Sequence, residues 1–174
     1  MKTIKKLTYA FAVYLCLLLS GCTYGNSEEV LSADEKSEPK LKEVDQSLDF
    51  EKNILLLVNQ YRQQHDLPPL EINEDISEIA RHHSSNMAQG LSIWGHEGYD
   101  ERTKMVATVV RWEEIGENLA RNSLSTPVLT AMNGWINSPL HEDNLIGDFT
   151  ITGIGVARSS TGEYFFTQIF VRGQ

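Results

Sequence analysis

The chain has 174 residues, enough for one domain and a leader. Its formal charge is −9 and no basic stripe is visible, which excludes a phosphate-tracking nucleic-acid partner and disfavours peripheral binding to anionic lipid. Cys16 and Cys22 are its two cysteines and both fall near the N-terminus, so the remaining chain must be stabilised by its own core rather than by disulfides.

Residues 1–21 read as a signal peptide. Lys2, Lys5 and Lys6 form a positive start, and an apolar run from Leu7 to Leu19 follows. That run is shorter than the roughly 20 residues a membrane span needs. Leu19-Ser20-Gly21-Cys22 resembles a bacterial lipobox, which implies cleavage before Cys22 and lipidation of its sulfur. Several acyl chains on one cysteine give a stable anchor where a single chain does not. Loss of the three leader lysines takes the formal charge from −9 to −12. Residues 22–46 are polar and charged, with too few apolar groups to bury, and read as a flexible acidic tether.

Residues 47–174 form the domain. Phe50, Ile54, Leu55, Leu57, Val58 and Tyr61 recur at near-helical spacing and predict a first helix over 48–65. Pro68-Pro69 ends it, and Leu67, Leu70 and Ile72 read as an extended segment across the core. Asn73 or Asp75 caps a second helix whose buried face is Ile76, Ile79, Ala80, His83 and Met87, with Gly90 as its stop. Residues 91–99 read as a loop, 100–110 as a short helix, and 111–121 as irregular or short extended structure. Thr126-Pro127 opens another helix and Ser138-Pro139 stops it. Residues 149–157 and 164–171 alternate as strands around a turn at 159–162, an antiparallel hairpin. Helices first and strands last give an α+β fold, with helices on an antiparallel sheet.

The chemistry gathers in Trp112–Asn144. Gly116-Glu117-Asn118 reads as a turn, and His141 lies just past the Ser138-Pro139 stop, so an acid and an imidazole fall at opposite ends of one helix. His96 sits in a separate loop. Imidazole supplies a metal-ligand nitrogen or a proton shuttle, and a carboxylate can orient it. His96, Glu117 and His141 are therefore the candidates for catalysis and for a divalent metal, zinc or calcium. A hydrogen-bonded structural cluster is the other reading. Neither the zinc His-Glu-x-x-His spacing nor an Asp-rich calcium loop occurs. His65 beside Asp66 reads as structural and His82 as solvent-facing, while His83 shares the buried face of its helix. Ser84, Ser85 and Ser138 lie near histidines, but none sits in Gly-x-Ser-x-Gly.

These landmarks together resemble the CAP superfamily of cysteine-rich secretory, antigen 5 and pathogenesis-related 1 proteins, in its bacterial cysteine-free branch. They run from Asn59-x-Tyr61-Arg62 and Leu67-Pro68-Pro69-Leu70 through Ala80-x-x-His83-Ser84-x-x-Met87-Ala88, His96 and Gly116-Glu117-Asn118-x-Ala120. Trp135-x-x-Ser138-Pro139-x-His141-x-x-Asn144, Gly153-x-Gly155-Val156 and Tyr164-Phe165-Phe166-Thr167-Gln168 complete them. The resemblance implies an α-β-α sandwich with one central cleft. Plant and animal members line that cleft with two histidines and two glutamates. His96 and Glu117 match two of these; Ser138 and Phe165 stand at the other two positions. His141 is the histidine of the bacterial branch, His83 adds to the same cleft, and Asn86 stands where an Asp is often found. Arg62 is expected to support structure through a salt bridge.

Family activities range over sterol and fatty-acid binding, signalling, claimed proteolysis and envelope roles, so three functional readings follow. The first is a membrane-anchored envelope module whose cleft (His83, His96, Glu117, His141) binds a small ligand, lipid, peptide or cell-wall fragment. The second is a hydrolase with Glu117 as general base. The third is a structural or protein-interaction domain. Export implies an outer-membrane or periplasm-facing lipoprotein in a two-membrane cell and a surface lipoprotein in a one-membrane cell.

Overall fold

The computed structural model describes residues 38–174, with side chains from Gln46 onward. The expected signal peptide, Cys22 and the first part of the tether lie outside the described residues. Five helices and four strands follow in the order α1 (Glu38–Gln64), β1 (Glu71–Ile72), α2 (Glu74–Ala88), α3 (Tyr99–Val109), β2 (Trp112–Asn122), α4 (Pro127–Ile136), α5 (Pro139–Ile146), β3 (Ile151–Arg158) and β4 (Tyr164–Gly173). Among the described residues no helix is long and apolar enough to cross a membrane.

α1 buries Ile54 and Val58 completely, one turn apart, as the apolar spacing requires. It begins at Glu38, however, so residues 38–46 extend the helix rather than the tether. The chain leaves α1 through Asp66, in the left-handed region at φ 58°, and Pro68-Pro69 prevents helical continuation. Asn73 caps α2 by accepting from the Ile76 amide at 3.1 Å, with Glu74 and Asp75 in the first turn where the helix dipole favours them. Gly90, at φ 70°, reverses the chain just past its end.

The sheet order is β1-β3-β4-β2, with β1 parallel to β3 and the other pairs antiparallel. Side chains alternate across the strands and split the interior in two. Ile154, Val156, Phe166 and Phe170 join Ile54, Val58, Met132, Trp135 and Leu145 of α1, α4 and α5 on one side. Ile169 and Val171 join Ile76, Ile79, Ala80 and Val106 of α2 and α3 on the other. This is the expected α-β-α sandwich. Gly153 and Gly155 allow α2 to lie directly on β3: a Cβ at either would strike the α2 backbone at Ile76 or at Ala80 and Arg81.

Three further expectations change. Residues 112–122 form a full strand on β4, in register from Glu114↔Arg172 to Asn122↔Tyr164, because Ile115, Leu119 and the small Gly116 and Ala120 pack on both faces. Ser138-Pro139 ends α4 but also starts α5, with Ser138 at its N-cap and Pro139 at the first helical position. Arg62 is 1% exposed and donates to four backbone carbonyls: Pro68 at 2.9 Å, Leu145 at 2.9 Å, Gly147 at 2.9 Å and Phe149 at 3.0 Å. Its role is to close the loops after α1 and α5, and those carbonyls satisfy its fork where a carboxylate was expected.

The outer edge of β2 is closed by side chains. Tyr99 Oη donates to the Ile115 carbonyl at 2.8 Å, Asn144 Nδ2 to that of Glu117 at 3.4 Å, and Trp135 Nε1 to that of Leu119 at 2.9 Å. Beyond the short β1, Ser77 Oγ and Glu51 Oε1 accept from the Ile154 and Val156 amides of β3, each at 3.1 Å. Both edges of the sheet thus find partners without another strand.

Candidate functional site

Glu117 lies in the middle of edge strand β2, not in a turn, and His141 lies in the first turn of α5. They are therefore not at opposite ends of one helix. Strand alternation sends Glu117 toward α2 and α3 and its neighbour Asn118 toward α5. Asn118 accepts from Asn144 Nδ2 at 2.8 Å and donates to the His141 carbonyl at 2.9 Å. Gly116 leaves room for this contact, since Asn144 Oδ1 occupies the place of a Cβ. The candidate residues consequently straddle the free edge of the sheet.

On the α2/α3 side four side chains form a continuous chain. His96 Nδ1 is 2.8 Å from Glu117 Oε1. Arg102 Nε and Nη2 donate to Glu117 Oε2 and Oε1 at 2.7 and 2.6 Å. Arg102 Nη1 is 3.2 Å from His83 Nδ1 and also donates to the Glu97 carbonyl at 2.7 Å. His83 Nε2 is 3.1 Å from the Gly95 carbonyl.

Donor and acceptor chemistry fixes the tautomers. Arginine only donates, so His83 Nδ1 accepts, and its Nε2–H donates to Gly95. His83 is thereby neutral, and its pKa is pushed below the usual histidine value by burial and then by the nearby Arg102 charge. A carboxylate only accepts, so His96 donates from Nδ1. Its side chain is 53% exposed against 1% for Glu117, which leaves the Nε2 edge as the outward part of the pair.

His141 stands on the opposite face of β2. Its Nδ1 is buried without a hydrogen-bond partner, and burial, then the proximity of His96, lowers its pKa. It opens on a groove of about 320 Å³ with Leu119, Asn122, Thr130, Trp135 and Ser138. A second groove, about 410 Å³, runs on the other side past His83, Arg102, Asn86, Leu91 and Glu97. His83, His96 and Glu117 thus come together, and His141 approaches His96 around the strand edge.

Arg102 is the residue that sequence reasoning missed. It is 7% exposed on a mostly polar helix. Its signal was position: Arg102 precedes the buried Val106 by one turn, on the stripe α3 turns inward. Two of the three serine candidates, in contrast, are engaged. Ser84 donates to the Gly155 carbonyl at 2.9 Å and so must accept from Thr167 at 2.8 Å, and Ser85 accepts from Gln89 at 2.6 Å. His65 packs on Tyr61, and His82 is exposed beside Asn86.

The sequence model of the cysteine-rich secretory protein (CAP) family matches residues 55–170. The chain belongs to the CAP family. Two Bacillus subtilis relatives, the uncharacterised membrane protein YlbC and the uncharacterised protein YkwD, are each 30% identical to it, over 148 and 126 residues. Those matches cover 83% and 70% of this chain but 40% and 47% of the relatives, so the chain spans less than half their length. The crystal structure of an SCP-domain extracellular protein from Bacillus anthracis superposes with a TM-score of 0.62 at 27% identity, covering 80% of this chain and 45% of that one.

Within the CAP fold, half of the four-residue tetrad is replaced. Phe165 is buried and edge-packed on Trp94 at 6.1 Å, and Ser138 takes the N-cap position of α5. The metal reading of His96, Glu117 and His141 does not fit this CAP domain. Both Glu117 oxygens face a guanidinium, and among the described residues no three His, Cys, Asp or Glu side chains gather where they could hold a metal ion.

Proposed function

We propose that this chain is an exported, lipid-anchored CAP-domain protein of the cell envelope whose edge cleft binds a small ligand, peptide or cell-wall fragment. The observation that carries this reading is the asymmetry of the His96–Glu117 pair. A buried carboxylate, held by Arg102, fixes one nitrogen of a half-exposed imidazole, and its neighbours Glu97 and His141 each line a groove. A purely structural ion pair needs no exposed ring edge, whereas a binding site needs a preorganised polar group beside a concave surface. The extracellular description of the Bacillus anthracis protein and the membrane description of YlbC favour export and membrane association. The anchor rests on Cys22 in Leu19-Ser20-Gly21-Cys22.

The test is thermal melting of the full chain with soluble peptidoglycan fragments and with fatty acids. A rise in Tm that disappears in His96→Ala supports the cleft; no rise with either class, or a rise unchanged in His96→Ala, removes it. Cys22→Ser should release the protein from membranes, and retention there would refute the anchor.

The hydrolase reading has one observation in its favour, the oriented imidazole itself. Glu117 is a poor general base, because both its oxygens are engaged by Arg102 and one also by His96. Within the Glu117–His96 pair the base is His96 through Nε2, and Glu117 orients it.

A further inference from the structure

Arg102 lies in a ring of acceptors. Two Glu117 oxygens, His83 Nδ1 and the Glu97 carbonyl lie within 2.6–3.2 Å of its nitrogens, and the His96 carbonyl is 3.5 Å away. They come from β2, α2 and the loop before α3, so three separate elements point acceptors at one place. Such a convergence, one imidazole nitrogen, one carboxylate and loop carbonyls, resembles the outline of a cation site. Here the cation is a side chain of the chain itself.

We propose that Arg102 is the resident cation of this cleft: its guanidinium stands where a divalent metal would have to stand beside Glu117, and it makes the site metal-independent. Three consequences follow from its shape. The planar fork satisfies both Glu117 oxygens at once, which a metal bound to one oxygen would not. The third nitrogen imposes the Nε2–H tautomer on His83, which a metal ligand at Nδ1 would also require, but without a proton-coupled binding step. The same nitrogen holds the loop at Glu97, next to His96, so Arg102 positions the ligand-facing imidazole from two directions: through Glu117 and through the backbone. Arg102 acts as a positioning residue, through Glu117 and the Glu97 backbone. The ligand consequence rests on the cleft proposed above; the cation assignment does not.

Zinc, calcium and magnesium titrated into the full chain by calorimetry, with imidazole and Arg102 Nε–H resonances followed by NMR, test this. The expected result has no stoichiometric binding that depends on Glu117. His83 stays in the Nε2–H form, and the Arg102 Nε–H signal is shielded from exchange and unmoved by metal. In Arg102→Met the His83 tautomer lock is lost and both neutral tautomers appear. Arg102→Lys does not restore it, since an ammonium cannot span Glu117, His83 and Glu97 together. Metal binding in the wild type that shifts the Arg102 Nε–H signal and vanishes in Glu117→Gln overturns the proposal. Metal binding that persists in Glu117→Gln and leaves Arg102, His96 and His141 unmoved lies elsewhere and supports it; metal that shifts the His96 or His141 imidazole overturns the metal independence. If Arg102→Met fails to fold, the wild-type protein still decides: an Arg102 Nε–H in free exchange with water overturns the assignment. Failure to find a ligand whose binding depends on His96 would sink the cleft reading and leave every one of these readouts unaffected.

Discussion

Arg102 and Glu117 meet fork to fork, Nε to Oε2 at 2.7 Å and Nη2 to Oε1 at 2.6 Å, with side chains 9% and 1% exposed. The pair joins α3 to the middle of the edge strand, and His83 and His96 attach at its two ends. Charges this deeply buried are desolvated, and their attraction only offsets that cost while both partners and their other hydrogen bonds are present. Breaking the pair from one side is therefore the expensive change. Glu117→Gln should lower unfolding stability by about 3–5 kcal/mol, the range for stranding one buried charge. Arg102→Met combined with Glu117→Leu should cost clearly less than the sum of the two single changes. Urea denaturation of the four proteins measures the coupling; strict additivity would show that the pair does not act as a unit.

Acid should weaken the fold through two histidines. His83 and His141 both have folded-state pKa values below the ordinary histidine value, through burial first and then the proximity of Arg102 for His83 and of His96 for His141. The unfolded chain then binds protons that the folded chain refuses. The stability of the neutral forms is fully present above the unfolded value of about 6.5 and is lost as pH falls through the depressed folded values. Glu51 opposes this trend, because burial raises its pKa despite Arg81, so it favours the fold at low pH. A His83→Gln variant, whose amide oxygen can still accept from Arg102, isolates the histidine part. The expected outcome is a shallower fall in urea midpoint between about pH 6.5 and 5 than in the wild type. Parallel slopes would mean that His83 is not held neutral.

The legibility of the chain divides along local and non-local lines. Helix ends could be read directly, because Asn73, Gly90, Pro127 and the Ser138-Pro139 stop of α4 act on their own neighbours in sequence, although the start of α5 at Pro139 was not. The β3–β4 hairpin was legible for the same reason. Strand β2 was not. Its Trp-Glu-Glu-Ile-Gly-Glu-Asn composition reads as irregular, and its pairing partner, β4, lies about fifty residues downstream. Misreading that strand misplaced Glu117, and Arg102 stayed hidden because a buried arginine is visible only through partners on other elements. His96 was legible by resemblance; its bond to Glu117 needed the fold.

Gly155 should tolerate no side chain. A Cβ there would meet the Ala80 carbonyl carbon and the Arg81 amide of α2, both backbone and both inside a continuous helix. Neither can move without displacing α2 from the sheet. Gly155→Ala should therefore cost at least the ~1–3 kcal/mol typical of overpacking a dense interior, although Gly in a strand is otherwise unfavourable. Gly134, whose Cβ would meet nothing within 4 Å on α4, is the control: Gly134→Ala should be neutral or stabilising by up to about 1 kcal/mol through helix propensity. Thermal melting of the two variants settles it, and equal Tm shifts would contradict the close approach of α2.

The edge strand that carries Glu117 is closed by side chains rather than by another strand. Three carbonyls on its free side, those of Ile115, Glu117 and Leu119, are occupied by Tyr99, Asn144 and Trp135 rather than by a strand. Removing such a donor costs two things. The intramolecular bond is lost, about 0.5–1.5 kcal/mol each, and a row of acceptors is freed for pairing with another chain. Trp135→Phe keeps most of the buried ring area but lacks the indole N–H; Asn144→Ala also releases Asn118. The double variant should remain folded at reduced stability and self-associate at concentrations where the wild type stays monodisperse. Light scattering beside circular dichroism checks both halves of the expectation. Association with rising β-sheet content supports strand addition at β2; a destabilised variant with unchanged scattering would show that the edge is protected by something other than these side chains.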